Sequence, residues 1–328
     1  MCHYKHLTLI EREKLMFFLA KHYPVSQIAI FLSRNRSTIY REIRRNSKEQ
    51  YIPVKAQNMY EQRRKACKPK NKLANLSLLN IVRDKIINHN WSPEQISGRL
   101  AEENNKNLIS YNTIYRAIYK GLLNVGTSEK AFHAVLHKLR HHGKKRHSKN
   151  YEERRGKIII SNNICDRPLS AEQRSCIGHW ESDTMLGKLK KACLVTMVDR
   201  KSRFLCGGKA QNKEAGYVNQ VMILKLSGMP LRSITPDRGH EFAKHREVSK
   251  ALGNVPFYFP LPHHPWQKGT VENINGLLGE FFPKGKDLTD ITDDYVQKIF
   301  DELNLRPRKC LNFRTPFEVF YSKSLHLV

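Results

Sequence analysis

Three carboxylates have the residue types and surroundings for a shared chemical task. Asp183 ends Gly178-His179-Trp180-Glu181-Ser182-Asp183, Asp237 follows Thr235-Pro236, and Glu272 lies in Gly269-Thr270-Val271-Glu272-Asn273. The first two lie at the ends of predicted strands, and the third lies in a predicted helix, 35 positions after the second. Transfer of a DNA phosphodiester needs charge stabilisation on the attacking and the leaving oxygen, which two divalent ions about 3.5–4 Å apart supply. Because hard ions such as Mg²⁺ or Mn²⁺ take carboxylate oxygens, this layout predicts a two-metal phosphoryl-transfer site.

Other acids compete for the same role. Glu181 has the same strand parity as Asp183, so the alternation of a strand alone cannot exclude it as the ligand. Glu241 is interpreted as a helix-start residue, which the local dipole favours. Glu280 lies eight positions after the third acid and could share its helix face. Trp266 is either a core anchor or a stacking platform, and we favour the core.

The elements that must position these acids follow from apolar periodicity after residue 175. Short β-rich runs predict strands at 177–189, 193–198, 203–208, 233–235 and 256–259, with helices at 213–226, 241–252 and 267–282. This order is typical of an α/β RNase H-like domain with a mixed five-stranded sheet and flanking helices. In that fold the first and fourth strands lie side by side, which would bring Asp183 next to Asp237.

Two all-α helix-turn-helix modules are predicted before this domain. The first begins with the capping box Thr8-Leu9-Ile10-Glu11 and continues through short helices near 26–32 and 37–45. A second copy at 91–121 begins with Ser92-Pro93-Glu94-Gln95, and its 112–118 echoes 37–43. The last helix of each would read the major groove, unless the modules are ordinary three-helix packing units. The predicted DNA-binding residues are Arg36, Ser37, Thr38, Tyr40, Arg41, Arg44, Arg45, Asn112, Thr113, Tyr115 and Arg116.

The charge supports a polyanionic partner. The chain has 58 Lys and Arg against 30 Asp and Glu, a net charge of +28, and residues 1–150 alone carry 30 basic and 10 acidic side chains. Each cation placed on a phosphate releases a condensed counterion, so double-stranded DNA is the expected partner. A membrane is not expected, since no apolar run approaches the roughly 20 residues that span a bilayer. Seven scattered cysteines and the lack of a signal-peptide pattern predict a protein of a reducing cytoplasm.

The predicted domains are therefore four. Residues 1–50 and 51–125 would form the two helix-turn-helix modules, 126–172 a basic linker, and 173–328 the RNase H-like catalytic domain.

Several long motifs carry a family resemblance. They are Gly178 to Asp183, Val198-Asp199-Arg200-Lys201-Ser202-Arg203, Asp237-Arg238-Gly239-His240-Glu241-Phe242, Pro265-Trp266-Gln267-Lys268-Gly269-Thr270-Val271-Glu272-Asn273-Ile274-Asn275-Gly276-Leu277-Leu278, Phe282-Pro283-Lys284-Gly285, Leu305-Arg306-Pro307-Arg308-Lys309 and Thr315-Pro316-Phe317-Glu318-Val319-Phe320. Together they resemble bacterial DDE transposases of the insertion sequence 30 family over nearly the whole chain. The chain departs from the family pattern at three points. Arg238 replaces the usual Asn, Val271 replaces a frequent Asn, and the interval before Glu272 is one residue longer than usual.

The resemblance implies a catalytic and metal-binding triad of Asp183, Asp237 and Glu272 with two Mg²⁺ or Mn²⁺ ions. It also implies binding to terminal inverted repeats, DNA strand cleavage and strand transfer, and at least a dimer on DNA. The expected location is the bacterial cytoplasm, in association with the nucleoid. The alternatives are a catalytically inactive DNA-binding regulator and an RNase H-type nuclease. The tandem helix-turn-helix argues against the nuclease, because an A-form duplex does not admit a helix to its major groove.

Overall fold

The computed structural model describes residues 5–47, 50–67, 71–124, 158–188, 191–262 and 264–328. These divide into two compact units, Met1–Ala74 and Asn75–Val328. Most of the predicted basic linker, residues 126–157, lies outside the described residues. The predicted boundaries at 50, 125 and 172 stay predictions, although the helix at 53–66 belongs to the first unit.

The described residues of the first unit form four α-helices, α1 (Leu9–Ala20), α2 (Val25–Phe31), α3 (Arg36–Asn46) and α4 (Pro53–Ala66). The predicted capping box at the start of α1 is confirmed, since Thr8 and Glu11 exchange hydrogen bonds of 2.7 and 3.3 Å. Leu15, Ile28 and Ile39 are fully buried, one from each of the first three helices, and form their common core. The helix-turn-helix fold of the first module is thereby confirmed.

The second unit begins with three more helices, α5 (Leu76–Ile87), α6 (Pro93–Asn104) and α7 (Tyr111–Tyr119). The predicted capping box at α6 is confirmed as well, because Ser92 N–H donates to Gln95 Oε1 at 2.8 Å and Gln95 N–H returns to Ser92 Oγ at 3.3 Å. Ile96 and Ile114 are fully buried on α6 and α7. The second predicted helix pair is therefore present as a helix-turn-helix arrangement.

The sheet that follows has the predicted strand order. Its strands are β1 (Asn162–Asn163), β2 (His179–Leu186), β3 (Cys193–Asp199), β4 (Leu205–Ala210), β5 (Ser233–Thr235) and β6 (Tyr258–Phe259). Four form a sheet in the order β4-β3-β2-β5, with β5 parallel to β2 and the other pairs antiparallel. A bridge between Ile234 and Phe257 adds the fifth strand beside β5, and β6 also pairs in parallel with β1, which was not predicted. The RNase H-like fold class is confirmed.

Helices cover both faces of this sheet. On one face α9 (Ala215–Leu226) and α10 (His245–Ala251) pack on side chains such as Val195 and Met197. On the other face α11 (Gly269–Leu278) and α12 (Asp293–Asn304) pack on Leu194 and Val198. Successive side chains of β3 point to opposite faces of the sheet and all are buried, so β3 lies between two hydrophobic cores, one on each face. Two shorter helices, α8 (Leu169–Glu172) and α13 (Pro316–Tyr321), also lie in the described part of this unit.

Two predicted helices are wrong in extent. The helix predicted at 241–252 is instead a 3₁₀ turn, His240–Phe242, followed by α10, and the Glu241 side chain in that turn binds Lys213 and Thr184. The helix predicted at 267–282 begins as the 3₁₀ turn Pro265–Lys268, and its α-helical part ends at Leu278. Pro283 disfavours helical backbone at the residue before it, which limits any extension.

The second helical module is fastened to the C-terminal part of its unit. Arg99 of α6 is fully buried and makes a two-pronged ion pair with Glu318 of α13, with N···O distances of 2.7 and 2.8 Å. Gln95 Nε2 also donates to the Pro307 carbonyl at 2.9 Å. Among the residues that the structure describes, no helix is both long and apolar enough to cross a bilayer.

Candidate active site

The parallel pairing of β2 and β5 sets the positions of the first two acids. The last paired residues of the two strands are Glu181 and Thr235, and Asp183 and Asp237 each lie two residues further along. Asp183 is paired with Thr196 of β3, on the face that α11 covers. Glu272 lies in the first turn of α11, the helix that packs on the same face of the sheet as Asp183.

The Asp183 carboxylate is held by its neighbours. Asn275 Nδ2 donates to Asp183 Oδ2 at 3.0 Å, and the Thr184 amide donates to Oδ1 at 2.8 Å. Thr196 Oγ1 donates to Asn275 Oδ1 at 3.0 Å, which fixes the amide orientation of Asn275. Lys268 Nζ lies 3.9 Å from Asp183 Oδ1 and donates to the Ser182 carbonyl at 3.3 Å.

Asp237 begins a tight turn after β5. The Gly239 amide donates to Asp237 Oδ1 at 2.7 Å. The next side chain, Arg238, sends its Nε to the Pro260 carbonyl at 2.6 Å. The unusual arginine therefore ties the Asp237 turn to the segment that leads to α11.

Electrostatics connect the three acids. Burial raises the pKa of Asp183 above its ordinary value, the charge of Lys268 opposes this, and the charge of Asp237 adds to it. Desolvation by the surrounding protein also raises the pKa of Glu272, with Lys268 again opposing and Asp183 adding. Asp183 is thus near enough to both other acids for mutual repulsion, and Lys268 faces two of them.

The competing acids are each bound to a cation. Glu181 is fully buried, with one carboxylate oxygen on Arg200 and the other on two backbone amides of α11. Glu241 accepts from Lys213 Nζ at 2.8 Å and Thr184 Oγ1 at 2.9 Å, and Glu280 pairs with Arg306 at 3.1 Å. These ion pairs are shorter than the 3.9 Å between Lys268 Nζ and Asp183 Oδ1.

No ready cluster of metal ligands is present in the described part of the chain, where no group of three or more His, Cys, Asp or Glu side chains could hold an ion.

Trp266 is not a core residue, so the favoured interpretation of it is wrong. Its side chain is 68% exposed, and its ring centroid lies 4.5 Å from that of His264. The 3₁₀ turn Pro265–Lys268 precedes α11 and buries Lys268 at the sheet while leaving the indole in solvent.

Sequence reasoning missed the roles of Asn275 and Lys268. Asn275 lies three positions after Glu272 and Lys268 four positions before it, so both share its helix face. The helical spacing of both residues from Glu272 could have predicted that they lie beside it. The contact of Asn275 with Thr196, 79 positions earlier, could not be found in this way.

The two predicted DNA-reading helices expose most of the residues assigned to them. On α3 Thr38 is half-buried, and the exposed members are Arg36, Ser37, Tyr40, Arg41, Arg44 and Arg45. On α7 the exposed members are Asn112 and Arg116, and Thr113 and Tyr115 are half-buried. Ile39 and Ile114 face the cores instead. Contact with DNA stays a prediction for each of these residues.

An RNase H-like domain joined to a helix-turn-helix unit defines a class of proteins that process DNA. A family model described as a helix-turn-helix domain matches residues 3–46. The chain is 38% identical over 325 residues to the transposase InsI for insertion sequence element IS30A of Escherichia coli strain K12. The aligned residues cover 96% of this chain and 83% of that protein. It is 36% identical over 324 residues to the transposase for insertion sequence element IS1086 of Cupriavidus metallidurans, covering 96% and 94%. It is 33% identical over 323 residues to the transposase for insertion sequence element IS4351 of Bacteroides fragilis, covering 96% and 95%.

Identity of this extent over nearly the whole length identifies the family. The chain belongs to the insertion sequence 30 family of transposases.

Proposed function

We propose that this transposase is a DDE enzyme in which Asp183, Asp237 and Glu272 bind two divalent ions and direct the cutting and joining of DNA. The observation that supports the proposal is the β2–β5 register, which pairs Glu181 with Thr235, the residues two positions before Asp183 and Asp237. The electrostatic coupling of Asp183 to both other acids supports the same grouping.

The donor atoms are of the type that hard divalent ions bind, although in the described residues no three acidic side chains are grouped closely enough to hold an ion without rearrangement. Three carboxylates supply oxygen ligands, and Mg²⁺ or Mn²⁺ needs only a few of these because it keeps several waters. When bound, a pair of such ions supplies charge stabilisation for the attacking and leaving oxygens of an in-line displacement. Asn275 and the Thr184 amide hold the Asp183 carboxylate in place, and the Gly239 amide does the same for Asp237.

The reaction is proposed to have two displacements of the same kind. In the first, water attacks a phosphodiester at an element end and a 3′-OH leaves. In the second, that 3′-OH attacks a target phosphodiester, so the new DNA bond forms as a target 3′ oxygen leaves. Neither displacement needs a covalent bond to the protein.

The substrate is proposed to be the terminal inverted repeat of the element together with target DNA. The exposed polar faces of α3 and α7 are suited to the major groove, and the excess positive charge of residues 1–150 is suited to phosphates. Because two ends must be paired for joining, the active species on DNA is proposed to be at least a dimer.

A cleavage and joining assay on labelled duplexes that end in the element's repeat tests this function. We expect Mg²⁺-dependent nicking and joined products for the wild type, and a loss of at least 100-fold for Asp237→Asn, which keeps the shape but removes the charge. Glu280→Gln is the matched control, since that acid lies outside the proposed triad and should stay close to wild-type activity. Metal-independent cutting, or equal cutting by Asp237→Asn, would contradict the proposal and leave a DNA-binding regulator.

A further inference from the structure

Glu181 is a buried acid for which the proposed chemistry has no direct use. It lies two residues before Asp183 on the same face of β2, and it is fully buried. Burial of a carboxylate is costly unless it is paired and hydrogen-bonded, so a fully buried glutamate next to the acidic cluster needs a physical explanation.

One oxygen of Glu181 binds the start of the helix that carries Glu272. Glu181 Oε2 accepts from the backbone amides of Thr270 and Val271, both at 2.9 Å. These are the second and third residues of α11, whose first amides have no partner within the helix, and Lys268 at the N-cap makes no side-chain cap. A carboxylate at this end of a helix also interacts favourably with the helix dipole. Glu181 therefore caps α11 from another element of the fold.

The other oxygen of Glu181 is neutralised by Arg200. The guanidinium of Arg200 is itself buried, donates from Nη1 to Glu181 Oε1, and is held by its Nε on the Ala171 carbonyl at 2.8 Å. Arg203 adds a second tie to the same helical turn, because its Nη1 donates to Thr270 Oγ1 at 2.7 Å. The first turn of α11 is thus bound to β2 through Glu181 and to the β3–β4 loop through Arg203.

The next residue after this clamped turn is Glu272. We propose that Glu181 is a positioning residue whose carboxylate clamps α11 to β2 and so sets the place of Glu272 relative to Asp183. Glu181 does not bind the metal ions, since both of its oxygens are used by protein donors. This inference rests on the proposed function, because the distance that Glu181 controls matters only if Asp183 and Glu272 act together.

Two charge-neutral variants separate the clamp from the stability of the buried pair. The glutamine pair combines Glu181→Gln with Arg200→Gln and keeps an amide oxygen for the two α11 amides. The apolar pair combines Glu181→Leu with Arg200→Met and keeps volume while removing that oxygen. Both remove the buried charges together, so neither leaves an unpaired ion in the core.

The primary measurement is Mn²⁺ affinity by electron paramagnetic resonance titration, in the presence of uncut element-end duplex, with cleavage rate as the second measurement. We expect the glutamine pair to stay within about threefold of wild type, and the apolar pair to lose about 10–100-fold in both, as is common when partners of ligands are removed. Affinity for the duplex without metal should be the same for both variants, because the helix-turn-helix modules are unchanged.

Equal Mn²⁺ affinities for the two variants would overturn the positioning role. If the apolar pair does not fold, amide hydrogen exchange decides: the Thr270 and Val271 amides must be protected in the wild type and in the glutamine pair, and rapid exchange in the wild type would refute the clamp. A wild-type protein without metal-dependent cleavage would instead contradict the proposed function, so the two failures can be told apart.

Discussion

The buried ion pair between Arg99 and Glu318 gives a prediction that can be worked out in detail. Replacing Arg99 by Met keeps most of the side-chain volume but leaves Glu318 without its main cation. Glu318 is 2% exposed and would keep only the backbone amides of Thr315 and Leu325, at 2.7 and 2.8 Å. We therefore expect Arg99→Met to destabilise the unit Asn75–Val328.

The size of the effect follows from the pKa of Glu318. Its environment, with the Arg99 guanidinium and the two amides outweighing the effect of burial, lowers this pKa from 4.5 to about 2. At about 1.4 kcal/mol per pKa unit, the whole environment of Glu318 stabilises the charged form by roughly 3 kcal/mol, and the two retained amides account for part of this. Breaking a buried pair costs about 3–5 kcal/mol because the remaining charge is left unpaired, so we expect a loss of roughly 3 kcal/mol. For a unit of this size we expect Tm to fall by roughly 6–12 °C.

The matched control is Lys309→Met. Lys309 also reaches α6, with its Nζ 3.5 Å from Glu94, but this pair is exposed, with 72% and 42% of the two side chains in solvent. An exposed pair contributes roughly 0–1 kcal/mol, so its loss should shift Tm by a few degrees at most. Thermal unfolding of both variants, followed by circular dichroism, measures the difference.

The pH dependence gives a second check on the same pair. Because folding lowers the pKa of Glu318, its stabilisation is complete above about pH 5 and is lost as the pH falls toward 2. At pH 3 less than roughly half of it is left, so wild type and Arg99→Met should differ much less there than at pH 7. A Tm difference that is negligible at pH 7, or that is as large at pH 3, would refute this reasoning.

Three further predictions concern other parts of the chain. Ser33→Gly should raise the stability of the first unit by up to about 1 kcal/mol, since Ser33 is exposed and has a left-handed φ of 50°. Slower amide hydrogen exchange in α2 and α3 would show this stabilisation, and an unchanged or faster exchange rate would contradict it. Arg41→Ala should weaken binding to the inverted repeat and reduce the slope of log affinity against log salt by about 1, measured by fluorescence anisotropy, while Lys55→Ala on α4 should change neither. Trp266→Ala should leave Tm within about 1 °C of wild type, because the indole is exposed. It should weaken binding to a pre-cut end about 5–100-fold if the indole stacks on a base, and Trp266→Phe should weaken it less. Equal affinities of wild type and Trp266→Ala for the pre-cut end would contradict stacking.

The local features of this fold could be predicted from the sequence. The capping boxes at Thr8 and Ser92 depend on residues three positions apart, and apolar alternation predicts the strands that support Asp183 and Asp237. The two-residue strand β1 was missed because so short a run has no period to detect.

Contacts between distant parts of the chain could not be predicted. The Arg99–Glu318 pair joins positions 219 residues apart, and neither side chain is marked by any local pattern. Strand parity could not separate Glu181 from Asp183 because both face α11; only their partners distinguish a helix cap from a candidate ligand. Trp266 was placed in the core because aromatic residues are usually buried, and its exposure depends on a 3₁₀ turn that periodicity does not show.

The most direct test of the metal-binding triad is a crystal structure of the chain with Mn²⁺ and an element-end duplex, using anomalous diffraction to locate the ions. We predict two manganese peaks about 3.5–4 Å apart, held by Asp183 and Asp237, with Glu272 completing one of the two sites. The same crystals of Asp183→Asn should lose at least one peak. Peaks bound by other residues, or no peaks beside an ordered DNA end, would contradict the proposal that these three acids share divalent ions.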